Sequence, residues 1–266
     1  MEFNLDHIIG KKHQVNENEL YAELFKLKDQ KYFKKFYDLN LELTRQDVAN
    51  SVGDDQLIMQ TISSISELDR ILNMMSKRFR EWYALHNPEL VNEINKHEDL
   101  IDIALKNKSK RIVNTMGGSL DKKDVEQMLV MAKEIERLVE LRVSHEKYLE
   151  KIMKKYCPNL LELAGVTIGA KLLEIGKGLK RLALLPASTI QLLGAEKALF
   201  RHLKTGARSP KHGIIVNHAL VQKSQRSKRG KMARMLADKL ALCCRLDYFK
   251  GKFMAKEYAK ELEGKL

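Results

Sequence analysis

From Asp47 onward the apolar residues fall at steps of three and four. Ile58, Ile62, Ile65, Leu68, Leu72, Met75, Phe79 and Trp82 form one such series, a seam that packs helices side by side along their length. Pro88 interrupts it, and Val91, Ile94, Leu100, Ile103 and Leu105 carry a second run. Residues 114–119, NTMGGS, read as a turn with two glycines. Ser119 is placed to cap a long helix with apolar positions Val125, Met128, Ala132, Ile135 and Val139, running to Tyr156 and ended by Pro158. Two long tracts joined by a glycine turn predict an antiparallel coiled coil. Two ordinary helices of a globular bundle are the alternative that periodicity leaves open.

The flanks divide the chain further. Residues 1–45 carry a helical pattern with Leu20, Leu24, Leu27 and Phe33 on one side. Residues 159–186, NLLELAGVTIGAKLLEIGKGLKRLALLP, supply short apolar helices, and MLADKLALCCRLDYF is an amphipathic helix for the same core. KGKFMAKEYAKELEGKL reads as a solvated closing helix. The fold class is mainly α, in three parts: a small N-terminal module over 1–45, the coiled coil over 46–157 and a helical terminal domain over 158–266.

Charge changes this picture more than composition does. The chain's 31% charged and 6% aromatic residues suit long helices with narrow apolar stripes. The net charge of +13 is far from evenly spread. Residues 194–234 hold six Lys and five Arg against one acid, Glu196, so +10 of it sits in this one stretch. A cationic footprint of that density points to polyphosphate.

Within the stretch, Lys197, Arg201, His202 and Lys204 follow Gly194 and Ala195 at helical spacing. Free N–H groups where that helix starts would favour a phosphate. TGARSPKHG, with Arg208, Lys211 and His212, and QKSQRSKRGK, with Lys223, Arg226, Lys228, Arg229 and Lys231, read as basic loops leading to Arg234. IIVNHALV, which includes Asn217 and His218, is apolar enough to anchor both loops. For each cation taken singly, a solvated face is the competing reading.

The chemistry of an enzyme is missing. GKG at 176–178 lacks the glycine and the hydroxyl residue of a phosphate loop, since Lys171 and Gly178 stand there. His202, His212 and His218 have no acidic or thiol partners in sequence, and Cys157, Cys243 and Cys244 form no C-x-x-C, so no metal site is expected. No G-x-G-x-x-G marks a cofactor, no apolar run reaches membrane-span length and MEFNLDHIIGKK is not a signal peptide. Buried thiols in a reducing cytoplasm, no cofactor and no catalysis are the expectations.

Three segments carry a resemblance. PASTIQLLGAEKALFRHL, PKHGIIVNHALV and RGKMARMLADKLALCCRLDYF closely resemble the Nop domain of the archaeal box C/D ribonucleoprotein scaffold, a relative of nucleolar proteins 56 and 58 and, more distantly, of pre-mRNA processing factor 31. LDRILNMMSKRFREWYALHNPEL and NTMGGSL match that family's coiled coil, apart from Gly117-Gly118, where the family usually shows a single glycine with serine before it. The resemblance reaches back to about Leu41.

The resemblance implies a scaffold that binds a box C/D guide RNA together with a kink-turn-binding core protein and recruits the methyltransferase fibrillarin for 2′-O-methylation. An N-terminal module, usually far longer than 45 residues, docks fibrillarin in that family. Gly194, Ala195, Glu196 and Lys197 would face the RNA–protein composite. His218 takes the place of a histidine that contacts a base in the spliceosomal relative. Two copies would dimerise through the coiled coil, at Ile103, Leu105, Ile112, Met116, Leu120, Val125 and Met128. The rival expectations are a coiled-coil interaction protein whose loops bind acidic partners, and a nucleic-acid enzyme with an unrecognised site.

Overall fold

The computed structural model describes Phe25 and residues 30–107, 111–113 and 115–265. Leu20, Leu24, Leu27, most of the expected N-terminal module and Asn114 lie outside them. The chain divides into two compact units between Gly53 and Asp54. In the first, α1 spans Gln30–Ser51. It runs through the boundary expected at 45 without a break. Its apolar stripe Phe33, Tyr37, Leu41 and Val48 is exposed.

The second unit is built on a helical hairpin. Helices α2 (Asp54–Ala84) and α5 (Lys122–Tyr156) run antiparallel. Ile58, Ile62 and Ile65 near the start of α2 share a core with Leu149 and Met153 near the end of α5. At the far end, Phe79 and Tyr83 share a second core with Met128, Ala132 and Ile135. Between the two, Arg142 Nε donates to Asp69 Oδ1 at 2.6 Å. Among the described residues there is no strand.

The far end departs from a simple coil. After Ala84 the chain breaks into two short helices, α3 (Pro88–Glu93) and α4 (His97–Lys106). Proline disfavours helix in the residue before it, and Arg80 on α2 holds the turn by donating to the carbonyls of Val91, Ile94 and Asn95. Leu100, Ile101 and Ala104 of α4 then close the second core. Gly117 lies against α2's end, where a Cβ would meet the His86 carbonyl oxygen at 2.1 Å. That close approach accounts for the first of the paired glycines. Ser119 does not cap α5: the N-cap is Asp121, whose carbonyl accepts from Asp124 and Val125.

No packing boundary falls at 157. Ile58, Leu149 and Met153 of the hairpin are buried in one core with Leu160, Leu172, Leu236, Leu240 and Leu262, so the hairpin's base belongs to the terminal domain. Around it stand α6 (Pro158–Ala164), α7 (Val166–Gly176), α8 (Leu179–Leu184), α9 (Ala187–Leu192), α10 (Glu196–Thr205), α11 (Ala219–Lys223) and the central α12 (Arg229–Tyr248). Helix α12 buries Met232, Ala233, Leu236, Ala237, Leu240, Ala241, Cys243 and Cys244. The closing helix α13 (Ala255–Glu263) is docked rather than solvated, with Ala255 and Leu262 fully buried.

Candidate nucleic-acid interface

The basic stretch starts at the corner between α9 and α10. Gly194 adopts φ +85°, a left-handed turn that favours glycine. Its N–H donates to Glu196 Oε1 at 2.7 Å. A carboxylate thus lies at the start of α10, where the sequence suggested a phosphate: Glu196 sits in the first turn, favourable to the helix dipole, and folds back onto the N–H before the N-cap.

Helix α10 buries no residue. Lys197, Arg201 and Lys204 are exposed on it, and beside them Phe200 and Leu203 are 61% and 69% exposed. In sequence this helix reads for its cations alone; Ala198 and Leu199 are half-buried, and the second apolar side, Phe200 and Leu203 three residues apart, is left in water. His202 turns inward, its Nδ1 bonding the Ala207 carbonyl. That bond closes the loop after the helix and commits Nδ1 of the half-buried His202 ring to the fold.

Residues 206–213 are pinned by backbone bonds. Gly213 N–H donates to the Gln191 carbonyl and Ile214 N–H to that of Leu193, both at 2.7 Å. The 3-10 turn Ile214–Asn217 and α11 then bury Ile215, Leu220 and Val221, the anchoring expected of IIVNHALV. His218 caps α11. Its Nδ1 accepts from Leu220 N–H at 3.3 Å, so its Nε2 carries the proton and donates to the Leu163 carbonyl at 2.9 Å. Burial pushes its pKa below the usual histidine range, against the pull of the Leu163 bond. Both ring nitrogens are spent on the fold, which leaves only the ring face for a base.

The second loop is shorter than the sequence suggested. Only Ser224–Lys228 lies between helices, and Arg229, Lys231 and Arg234 belong to the first turns of α12. Gly230 fits there because its missing side chain leaves room for Lys211, whose Cδ would lie 3.2 Å from a Cβ. A groove of about 480 Å³ results, lined by Gln191, Ser209, Lys211, Ser227, Lys231 and Arg234. Lys228, Arg229 and Lys231 crowd the positive end of α12's dipole, with no acid in its first turn. Cations there cost stability, which a bound anion would recover. Arg229 is partly committed, donating to the carbonyls of Ser224 and Gln222. Arg208, Asn217, Lys223, Arg226 and Lys228 are exposed, Ala195 and His212 half-buried.

Among the described residues no group of three His, Cys, Asp or Glu could hold a metal ion, and no helix is long and apolar enough to cross a membrane. Burial pushes Cys243 up to about 12, and Cys157 and Cys244 higher than the ordinary thiol, so these thiols are structural.

A helical hairpin whose base carries a concentrated cationic surface is the architecture of a binding module. Residues 64–266 match the family described as "Nop: snoRNA binding domain, fibrillarin". The chain belongs to this Nop family. It is 42% identical over 252 residues to an uncharacterized NOP5 family protein of Methanocaldococcus jannaschii, covering 86% of this chain and 61% of the relative. With nucleolar protein 56 of Dictyostelium discoideum it shares 35% over 256 residues, 86% of this chain and 47% of that protein. The chain therefore spans less than two thirds of the length of these curated relatives. A solved fibrillarin/Nop5p complex superposes with a TM-score of 0.53 at 26% identity, over 96% of this chain and 86% of that one.

Proposed function

We propose that this chain is the RNA-binding scaffold of a box C/D guide ribonucleoprotein. It holds the guide RNA together with a kink-turn core protein and recruits fibrillarin, which performs the 2′-O-methyl transfer to ribosomal or transfer RNA. The scaffold itself is non-catalytic. Family membership and the fibrillarin/Nop5p neighbour support this reading. The observation that carries it is the surface of α10. A helix that met phosphates alone would need Lys197, Arg201 and Lys204, not the exposed Phe200 and Leu203 beside them. Cations flanking an apolar pair suit a composite of RNA and protein.

The test is a binding comparison with a box C/D RNA, alone and preloaded with its kink-turn protein, followed by co-purification with fibrillarin and a methylation assay of each component. The scaffold reading expects tighter binding to the preloaded RNA, retention of fibrillarin and no methylation by the isolated chain. Equal binding to any acidic protein, or methylation by the chain alone, would overturn it.

A further inference from the structure

The α12–α13 junction, about 30 Å from the basic loops along the 20-residue α12, has a second concentration of aromatic and cationic side chains. Tyr248, Phe249, Lys250, Gly251, Lys252 and Phe253 are consecutive. Tyr248 and Phe249 meet edge-on with centroids 4.9 Å apart. Phe249 is 68% and Phe253 47% exposed, an arrangement that leaves two aromatic faces in water. A cleft of about 490 Å³ opens at Phe253, walled also by Lys155, Tyr156, Tyr248 and Lys250.

The backbone fixes this arrangement. Gly251 N–H donates to the Leu246 carbonyl at 2.7 Å, which closes the end of α12 and puts Lys250 in the left-handed position at φ +54°. Glycine is the usual occupant there. The cation is therefore held at a sharp, defined corner rather than on a freely moving tail. Two carboxylates share the cleft wall. Asp247 is committed to Asn159 and Leu160, and Asp54 pairs with Lys155 at 3.5 Å, leaving the Lys155 side chain 79% exposed.

We propose that this junction is a second RNA-contact site, which stacks unpaired bases of a single strand on Phe249 and Phe253 while Lys155, Lys250 and Lys252 face its phosphates. Exposed aromatics interleaved with cations are what a single strand needs: every base has a face to stack, and every nucleotide a charge to neutralise. The inference rests on the reading of the chain as an RNA scaffold, and gives it a grip on strand that lies beyond the paired elements.

The test uses the full chain and an oligouridylate of about 16 nucleotides. Phe249→Ala with Phe253→Ala should weaken its binding on the order of tenfold, with the melting temperature unchanged, and Trp at both positions should restore it. Photo-cross-linking of the unaltered chain with the 5-iodouridine form of the probe should mark residues 248–253, which decides the matter even if the alanine variant melts early. Affinity within about twofold of the parent, or cross-links confined to residues 197–234, would overturn the proposal. So would undiminished RNA binding with loss of a fibrillarin complex, which would make the junction a protein-docking site. If Arg226→Ala with Lys228→Ala weakens box C/D RNA binding and the phenylalanine variant does not, the scaffold reading stands and this site falls. If the unaltered chain binds neither RNA, both fall.

Discussion

Asp247 caps the helix that begins beside Asn159, and Asn159 in turn caps the helix that follows Asp247. One carboxylate oxygen of Asp247 accepts from the Asn159 backbone at 3.0 Å and side chain at 2.8 Å, and the other accepts from Leu160 N–H at 2.8 Å. The Asn159 carbonyl oxygen accepts from Met254 at 2.8 Å and Ala255 at 3.2 Å. Two polar side chains therefore terminate α6 and α13 and tie both to α12. Burial raises the Asp247 pKa, against the lowering effect of these bonds.

Asn159 is 2% exposed, so its loss would strand buried donors on two helices. Asn159→Ala is expected to cost about 3 kcal/mol, and Asp247→Ala about 2 kcal/mol. Thermal unfolding measures both. A change below about 0.5 kcal/mol in either variant would mean that the helix ends find water instead.

His218 gives the fold a pH dependence of known sign. Its folded pKa lies below the usual value of about 6.5, so the unfolded chain binds the extra proton first. Stability is then complete above that value and is lost as pH falls through it towards the folded pKa. Protonating Nδ1 also removes the acceptor for Leu220 N–H. His218→Gln should flatten the melting temperature between about pH 7 and pH 5. An unchanged slope in the variant would assign the acid sensitivity elsewhere.

The hairpin's far end separates two kinds of expected dimer contact. Met128 has no exposed surface, and Leu105, Leu120 and Val125 pack against the same intrachain core. Ile103 and Ile112 are half-buried. Met116 is 93% exposed, as is neighbouring Val113 at 85%. If two copies meet at this end, as the family resemblance leads one to expect, Val113→Asp with Met116→Asp should yield a monomer in light scattering with unchanged melting. Met128→Ala should instead cost about 2–5 kcal/mol through the cavity it leaves. A dimer that survives the double substitution would place its interface elsewhere on the hairpin.

The long helices were legible because a three-four seam has one simple solution, and Ile58, Ile62, Ile65, Leu68 and Phe79 are buried as that seam requires. Side-chain bonding reaches beyond periodicity. Nothing local says that Arg80 will hold the carbonyls of Val91 and Ile94, or that Glu196 will fold back onto Gly194. The same limit explains the inward turn of His202: its spacing places it with Lys197 and Arg201, while its ring finds a carbonyl five residues on. Closing helix α13 read as solvated because Ala255 and Leu262 are the two fully buried side chains in a segment rich in charge.

Salt should report the cations at the start of α12. Each phosphate contact on a single strand contributes a slope of about 0.7 in log affinity against log salt. Arg226, Lys228 and Lys231 are exposed, whereas Arg229 also braces α11 and is better left in place. Replacing the three exposed residues with Ala should flatten the slope by about 2, with melting raised slightly as cations leave the positive end of the α12 dipole. A slope equal to the parent's would make this end of α12 a solvated face.

The composite reading of α10 predicts that its apolar pair and its cations answer to different partners. Phe200 and Leu203 are largely exposed, and the helix buries nothing, so truncating them should leave the fold intact. Phe200→Ala with Leu203→Ala should weaken binding to RNA preloaded with the kink-turn protein by about 2 kcal/mol, roughly thirtyfold. Affinity for the same RNA without that protein should hardly move, since neither side chain neutralises a phosphate. Lys197→Ala should behave in the opposite way. It removes one charge from both complexes and lowers both affinities by a similar, smaller factor that shrinks as salt rises. Titrating both variants against both RNA forms at two salt concentrations resolves the pattern. Equal losses from Phe200→Ala with Leu203→Ala on naked and preloaded RNA would show that the pair stacks on bases, and the protein half of the composite surface would have to be sought away from α10.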